Sequence, residues 1–307
     1  MKVIGFDTSN YTTSVAWFDG LDWDNQSRLL PVKPGALGLR QSDALFHHVV
    51  GLPELTDRLF CHIAPQDVSA ISVSTRPRAV DGSYMPCFLA GVAQARALAA
   101  LLHVPLIEVS HQQGHLAAAL QSAKRTDLMD EPFLAWHLSG GTTELLLVEP
   151  DGHNFSCRRI GGTSDISAGQ LIDRTGQLLE LPFPSGKHLD ALSTGAQRQE
   201  VFRVRCPALE FSLSGVQNQV QNYHAAGCRP AETAAYALRC VCQAVDAATG
   251  NALRVYPGLP VVFSGGVASN AMLRHRMEKY SAVFCPPQYA TDNALGVAVL
   301  GYRAMEG

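Results

Sequence analysis

The chain has 307 residues, of which 47% are hydrophobic and 17% charged, enough apolar material for two cores of ordinary size. A formal net charge of −3 excludes a global attraction to nucleic acid or to an anionic membrane, so any RNA contact must use a local patch or a partner protein. Its eight cysteines, at 61, 87, 157, 206, 228, 240, 242 and 285, include no Cys-x-x-Cys pair, which argues against a zinc knuckle and fits reduced thiols among apolar neighbours.

The chain opens as strand, polar turn, strand. Residues 3–6 are apolar, Asp7 places an acid inside that first apolar run, the turn reads Asp7-Thr8-Ser9-Asn10-Tyr11-Thr12-Thr13, and residues 14–18 return as a strand. No stretch approaches the roughly 20 apolar residues of a bilayer span, so a cytoplasmic protein is expected. Helical periodicity over residues 44–60 is followed by a strand at 70–74 and a second helix at 87–102. Pro105 breaks that helix, and a join between two domains is expected between His103 and His111, dividing the chain into 1–108, with 293–307 packing back on it, and 109–292.

The strand-turn-strand unit then recurs, shifted by 130 positions. Residues 133–136 lead into His137-Leu138-Ser139-Gly140-Gly141-Thr142-Thr143 and a strand at 144–148, so that Ser9 matches Ser139, Thr12 matches Thr142 and Thr13 matches Thr143. The chain reads as an internal duplication of an α/β domain. Further helices are expected at 168–179 and 234–248, a strand at 260–263 and a helix at 271–277. Residues 182–230 mix Gly, Pro and polar residues and read as loops around a site. The last helix, 292–305, has Asp292 near its start and Arg303 near its end, in accord with the helix dipole.

Three features carry chemistry. His111-Gln112-Gln113-Gly114-His115 follows the apolar run 104–107 and opens an Ala-rich helix, which stacks the two imidazoles on one face where both can reach one ion. The alternative is a pair of histidines at a helix start with no ligand role. A zincin has a Glu where this chain has Gln112, and a carboxamide cannot act as that general base, so metalloprotease chemistry is disfavoured. Gly140-Gly141 and Gly265-Gly266 stand at comparable places in the two halves and can bring backbone N–H groups to phosphate from two sides. Either pair could also be a tight turn. Asp173 and Asp190 could accept hydrogen bonds from ribose hydroxyls, while Asn270 suits either the adenosine moiety or a helix N-cap.

Duplicated α/β halves with Ser/Thr/Gly-rich hairpin turns resemble the actin-like architecture of actin, sugar kinases and heat-shock chaperone ATPases, with a nucleotide held between two lobes. Taken in order, Phe6-Asp7-Thr8-Ser9, residues 111–115, Leu138-Ser139-Gly140-Gly141, residues 168–181 with Pro184-Ser185-Gly186, Phe211-Ser212-Leu213-Ser214-Gly215, residues 264–270 and Thr291-Asp292-Asn293 resemble the TsaD family of tRNA threonylcarbamoyltransferases, formerly called O-sialoglycoprotein endopeptidases. The resemblance covers essentially the whole chain. It implies one divalent transition metal, zinc or iron, on His111, His115 and Asp292, and a substrate site at His137, Leu138, Ser139, Gly140, Gly141, Asp173, Gly186, Asp190 and Asn270. It further implies L-threonylcarbamoyl-adenylate as donor, the adenosine 3′ of the tRNA anticodon as acceptor, help from partner subunits, and association through the N-terminal lobe as a homo- or heterodimer.

The chain departs from the family pattern at three places. It has Asn10 and Tyr11 where the family has acidic residues, Thr142 where the family has a histidine, and Arg76-Pro77-Arg78 where the family has a Gly-Pro-Gly turn. These departures leave two rivals open: a paralogue that binds metal and adenine nucleotide as a partner or scaffold, and an ATP-dependent kinase or carbamoyltransferase of the same fold. Imidazole is a poor ligand for magnesium, which counts against the second.

Overall fold

The structure is a computed structural model that describes residues 1–9, 11–31, 39–61, 63–291 and 293–307. Its elements in chain order are β1 (Lys2–Thr8), β2 (Thr12–Phe18), β3 (Trp23–Leu29), α1 (Gln41–Phe60), β4 (Val68–Arg76), α2 (Phe88–Leu102), β5 (Leu106–Ser110) and α3 (His111–Ser122). There follow β6 (Phe133–Leu138), β7 (Thr143–Asp151), β8 (Asn154–Thr163), α4 (Ala168–Leu178), α5 (Gly186–Ser193), β9 (Glu210–Phe211), α6 (Ser214–Ala225) and α7 (Pro230–Val255). The chain closes with β10 (Val261–Ser264), α8 (Ala271–Met277), β11 (Val283–Phe284) and α9 (Leu295–Glu306). They fall into two compact units, one of Met1–Glu131, Glu149–Cys157 and Asp292–Gly307, the other of Pro132–Val148 and Arg158–Thr291.

The repeat in sequence is a repeat in backbone. β1 and β2 form an antiparallel hairpin closed at Thr8 opposite Thr13, and β6 and β7 form one closed at Leu138 opposite Thr143, the same pair shifted by 130. In the first unit β4 joins β1 in parallel and β5 joins β4, giving the order β3-β2-β1-β4-β5. In the second sheet β10 joins β6 in parallel and β11 joins β10, giving β11-β10-β6-β7-β8-β9. Strands that join in parallel need crossovers, and α2 and α8 fill that role between β4 and β5 and between β10 and β11. Ile4, Phe6, Val15, Ile71 and Val73 pack under Leu52, Leu55 and Leu59 of α1 and Ala95 and Ala99 of α2 to form the first core. Trp136, Leu145, Phe263, Cys240 and Val245 lead the second, with the indole N–H of Trp136 donating to Thr249 Oγ1 at 2.9 Å.

Two elements were not visible in the sequence pattern, β3 and β8, because Trp23–Leu29 and Asn154–Thr163 carry mostly polar, part-exposed residues without clean alternation. The stretch 182–230, read as loops, contains α5 and α6. Each is short and buries little, Leu189 and Ser193 in one and Val216 and Val220 in the other, too few apolar positions to register as a period.

In the first unit α9 packs along α3, β1 and β4. Residues 112–120 of α3 and 295–301 of α9 are buried, and the two helices meet at Gly114 and Gly296. A Cβ at Gly296 would collide with the carbonyl oxygen of Gly114 and stand 2.6 Å from Ala118 N, so the crossing depends on the missing side chain. Gly296→Ala is therefore expected to lower stability by about 2 kcal/mol in urea unfolding, as overpacking against backbone does. Gly215→Ala, where a Cβ meets nothing within 4 Å, serves as the control and is expected to be neutral or slightly stabilising. Equal stability of the two variants would show that α3 and α9 can part at no cost.

Candidate functional site

In the first unit the two histidines occupy the first turns of α3, which begins with a capping box: Ser110 Oγ accepts from Gln113 N, and the Gln113 side chain accepts from Ser110 N. Gln112 N donates to Pro77 O at 3.0 Å, and Gln113 Nε2 donates to Phe155 O at 2.7 Å, so this end of the helix is anchored on both sides. The rings of His111 and His115 lie 4.3 Å apart between centroids at an interplanar angle of 74°, and Phe88 covers His111 edge-on at 6.1 Å. His111 Nδ1 is 2.7 Å from Asp7 Oδ2. The other carboxylate oxygen, Asp7 Oδ1, accepts from Ser74 Oγ at 2.8 Å and from Ser9 N at 3.1 Å. Asp7 is buried, only 1% exposed, and its partners come from three elements.

This arrangement fits a metal ligand. A metal-binding histidine usually gives its second ring N–H to a carboxylate, which fixes its orientation and raises its basicity, and Asp7 stands where that carboxylate is needed. Asp292, the expected third ligand, lies outside the described residues, as does Asn10. Among the described residues no group of three or more His, Cys, Asp or Glu side chains is gathered for a metal. Asp7 was not among the expected site residues. Its signal was an acid inside an apolar strand, a position at which a carboxylate needs partners to be buried.

In the second unit the glycine loops come together. Gly265 has φ +88°, and a Cβ there would run into Leu138 O and stand 2.6 Å from its carbonyl carbon, so the loop after β10 lies directly against the end of β6. The turn at 139–142 closes through Ser139 N to Thr142 O at 2.9 Å and Thr142 N to Ser139 Oγ at 3.1 Å. Gly140 and Gly141 are exposed, and a Cβ on either would meet nothing within 4 Å. Ser167 at the start of α4 donates to Gly140 O at 2.6 Å, and Gly169 lies against Ser139 and Gly140, so α4 is the floor of this turn. His137 Nδ1 stands 3.3 Å from Ser264 Oγ, linking β6 to β10.

The structure pairs Asp190 with Asn270, and places Asp173 elsewhere in the unit's hydrogen bonding. Asp190 Oδ1 accepts from Asn270 Nδ2 at 2.7 Å and Oδ2 accepts from Ala271 N at 3.1 Å, while Asn270 Oδ1 accepts from Leu273 N at 2.9 Å and so caps α8. Asp173 Oδ1 accepts from Ser185 N at 2.8 Å, just before Gly186 opens α5. Burial pushes the Asp173 carboxyl above the usual range, against the opposing effect of the Ser185 N–H. Phe211-Ser212-Leu213-Ser214-Gly215 is organised by a residue the sequence reading passed over. Burial pushes Asp165 up, but the Ser212 and Ser214 hydroxyls and the Leu213 and Ser214 N–H groups outweigh it and hold it at about 2.

With this geometry described, known proteins can be compared. The sequence profile of the TsaD family, described as tRNA N6-adenosine threonylcarbamoyltransferase, matches residues 37–299. A tRNA N6-adenosine threonylcarbamoyltransferase of Streptococcus mutans is 33% identical over 249 residues, covering 76% of this chain and 69% of its own. One from Thermosipho africanus is 29% identical over 322 aligned positions, covering 99% of this chain and 94% of its own. Among solved structures, HypF of T. kodakarensis superposes with a TM-score of 0.66 at 14% identity, covering 100% of this chain and 48% of that one. The ROK hexokinase of Thermus thermophilus superposes at 0.54 and 15%, covering 100% and 99%. These likenesses establish the actin-like fold.

Asp173 gives a test of its own. Its folded-state pKa is above the unfolded value, so ionising it costs stability at neutral pH, and that cost disappears as pH falls through the raised value. Asp173→Asn keeps an acceptor for Ser185 N–H and is expected to melt at or above the wild-type temperature at pH 7, with the gap closing as pH is lowered towards 4. A melting temperature clearly below wild type at pH 7 would show that the carboxylate is held there for structure.

Proposed function

The chain belongs to the tRNA N6-adenosine threonylcarbamoyltransferase family, and from that premise we propose that it transfers threonylcarbamoyl from L-threonylcarbamoyl-adenylate to N6 of the adenosine 3′ of the tRNA anticodon. The observation that carries the reading is the His111–His115 pair with a buried carboxylate on His111 Nδ1, the donor arrangement of a transition-metal site. His111 and His115 would hold the ion, zinc or iron, with Asp292 as third ligand. When bound, it supplies a Lewis acid and an orienting point for the threonylcarbamoyl end of the donor.

The adenine amino group is a weak nucleophile because its lone pair is delocalised into the ring. The donor answers this with a mixed carbamoyl-phosphate anhydride whose nucleotide leaves readily. In this reading the N–H groups of Ser139, Gly140 and Gly141 and of Gly265 and Gly266 receive the phosphate, since the two loops abut at Leu138 and Gly265 and the first turn is exposed. His137 and Leu138 support that turn from β6. Asp173 and Asp190 accept from the ribose hydroxyls, with Gly186 at the adjoining helix start. Asp190 has lone pairs to spare beyond its bonds to Asn270 and Ala271, and its grip orients Asn270 towards the base. The exposed, raised-pKa Asp173 is the kind of carboxylate that stability alone does not favour.

Acceptor tRNA would be bound with the help of partner subunits, since the net charge is −3, and association as a homo- or heterodimer through the N-terminal lobe belongs to the same reading. A second reading, a paralogue that binds metal and adenine nucleotide without turnover, is favoured by Thr142, which spends its N–H on Ser139 Oγ and brings no imidazole to the phosphate turn. Peptide hydrolysis is not supported, because Gln112 supplies no general base.

Reconstitution distinguishes these readings. Protein, adenylate and unmodified tRNA, with and without bacterial partner subunits, are expected to yield threonylcarbamoyl-adenosine after nucleoside digestion. Adenylate binding without product would establish the paralogue, and neither binding nor product would end the transferase reading. His111→Ala and His115→Ala are each expected to lose stoichiometric metal by elemental analysis and to lower product formation at least ~100-fold.

A further inference from the structure

We infer that Asp7 is a positioning residue that holds His111 as its Nδ1–H tautomer, leaving Nε2 as the atom that donates to the metal ion. The inference rests on the metal reading above and adds to it a residue and a definite protonation pattern. The argument starts from which atoms can only donate. Ser9 N is a backbone amide and has no other role than to donate, and it donates to Asp7 Oδ1 at 3.1 Å. Ser74 Oγ donates to the same oxygen at 2.8 Å. Oδ1 is thus an acceptor twice over, and Oδ2, 2.7 Å from His111 Nδ1, is the oxygen that remains for the imidazole. A carboxylate accepts only, so the proton of a neutral His111 lies on Nδ1, between the two groups.

The same geometry makes the three variants at this position behave in an unusual order. In Asp7→Asn the single carbonyl oxygen must take the Oδ1 place, because turning the amide round would set its NH2 against the Ser9 N–H with both buried. The NH2 then faces His111 Nδ1, which has to accept, and the ring proton moves to Nε2, where it blocks the metal. In Asp7→Ala no partner dictates the tautomer, so His111 can still present Nε2 and loses only its fixed orientation. In Asp7→Glu the charge and acceptor character persist with one more methylene to accommodate.

Metal affinity and stability therefore fall in opposite orders. Asp7→Ala is the less stable fold, since it leaves Ser9 N and Ser74 Oγ without their acceptor, yet it is the better metal binder. A merely structural role would make Asn milder than Ala in both respects.

The experiment is competitive titration of wild type, Asp7→Ala, Asp7→Asn and Asp7→Glu with zinc alone against a chromophoric chelator, beside thermal melts and nitrogen NMR of histidine rings in the metal-free protein. Zinc affinity is expected to drop about 10-fold in Ala and about 100-fold in Asn, the range over which outer carboxylates act on metal sites, with Glu nearest to wild type. The His111 ring is expected to carry its proton on Nδ1 in wild type and on Nε2 in Asp7→Asn. Wild type that binds zinc tightly while Asn binds at least as well as Ala overturns the role of Asp7 alone, and so does a wild-type His111 already protonated on Nε2. Wild type that binds no zinc overturns the metal reading itself and with it Nε2 as a donor.

Discussion

A carboxylate buried at the end of a central strand has to be surrounded by donors, because leaving it unpaired there costs several kcal/mol. Asp7 is that carboxylate, and the first unit is built so that three separate elements reach it. Ser9 comes from the turn after β1, Ser74 from β4 and His111 from the first position of α3. The parallel register of β4 and β5 is interrupted between Ser74 and Arg76, at the point where β4 supplies its hydroxyl and β5 ends in the cap of α3. α9 then fixes α3 from the other side through the glycine crossing, and Gly5 in β1 lies under the same helix against Ala294 and Ala298. The imidazoles are placed by these constraints before any ligand arrives.

The duplicated hairpins show how one backbone serves two kinds of chemistry. Asp7 stands opposite Ser14 in the first, and His137, 130 positions on, stands opposite Glu144 in the second. In the first copy the end of the hairpin serves an imidazole pair through a side chain. In the second the turn is Ser139-Gly140-Gly141, which offers backbone N–H groups with no side chain in the way. An acidic side chain suits a cation and a bare backbone suits an anion, so the division between metal and phosphate follows from the residues that each copy kept.

Much of this was legible in the sequence, for identifiable reasons. Hairpins and parallel strands were visible because their apolar runs are bounded by Thr, Ser and Gly, and α3 because Ser110 and Gln113 form a capping box ahead of an Ala-rich run. α4 was visible through the strong periodicity that puts Leu171, Ile172 and Thr175 on its buried face. Polar edge strands such as β3 and short helices such as α5 were not, because their stability comes from neighbours distant in sequence. The same holds at the site. His111 and His115 share a helix and announce themselves, whereas Asp7 lies 104 positions from His111, and Asp190 lies 80 from Asn270, so the bonds that join them appear only on folding. Asn270 serves both readings that its sequence context allowed, capping α8 with its oxygen and holding Asp190 with its nitrogen.

The central claim is that the two imidazoles of α3 are the protein's metal donors and the reason it can activate a carbamoyl group. X-ray absorption at the metal edge of stoichiometrically loaded protein tests this most directly, because imidazole rings give a distinctive outer-shell scattering pattern. The account predicts two imidazoles per metal, with the remaining ligands oxygen and no sulfur. A spectrum with sulfur ligands, or with one imidazole or none, would contradict it.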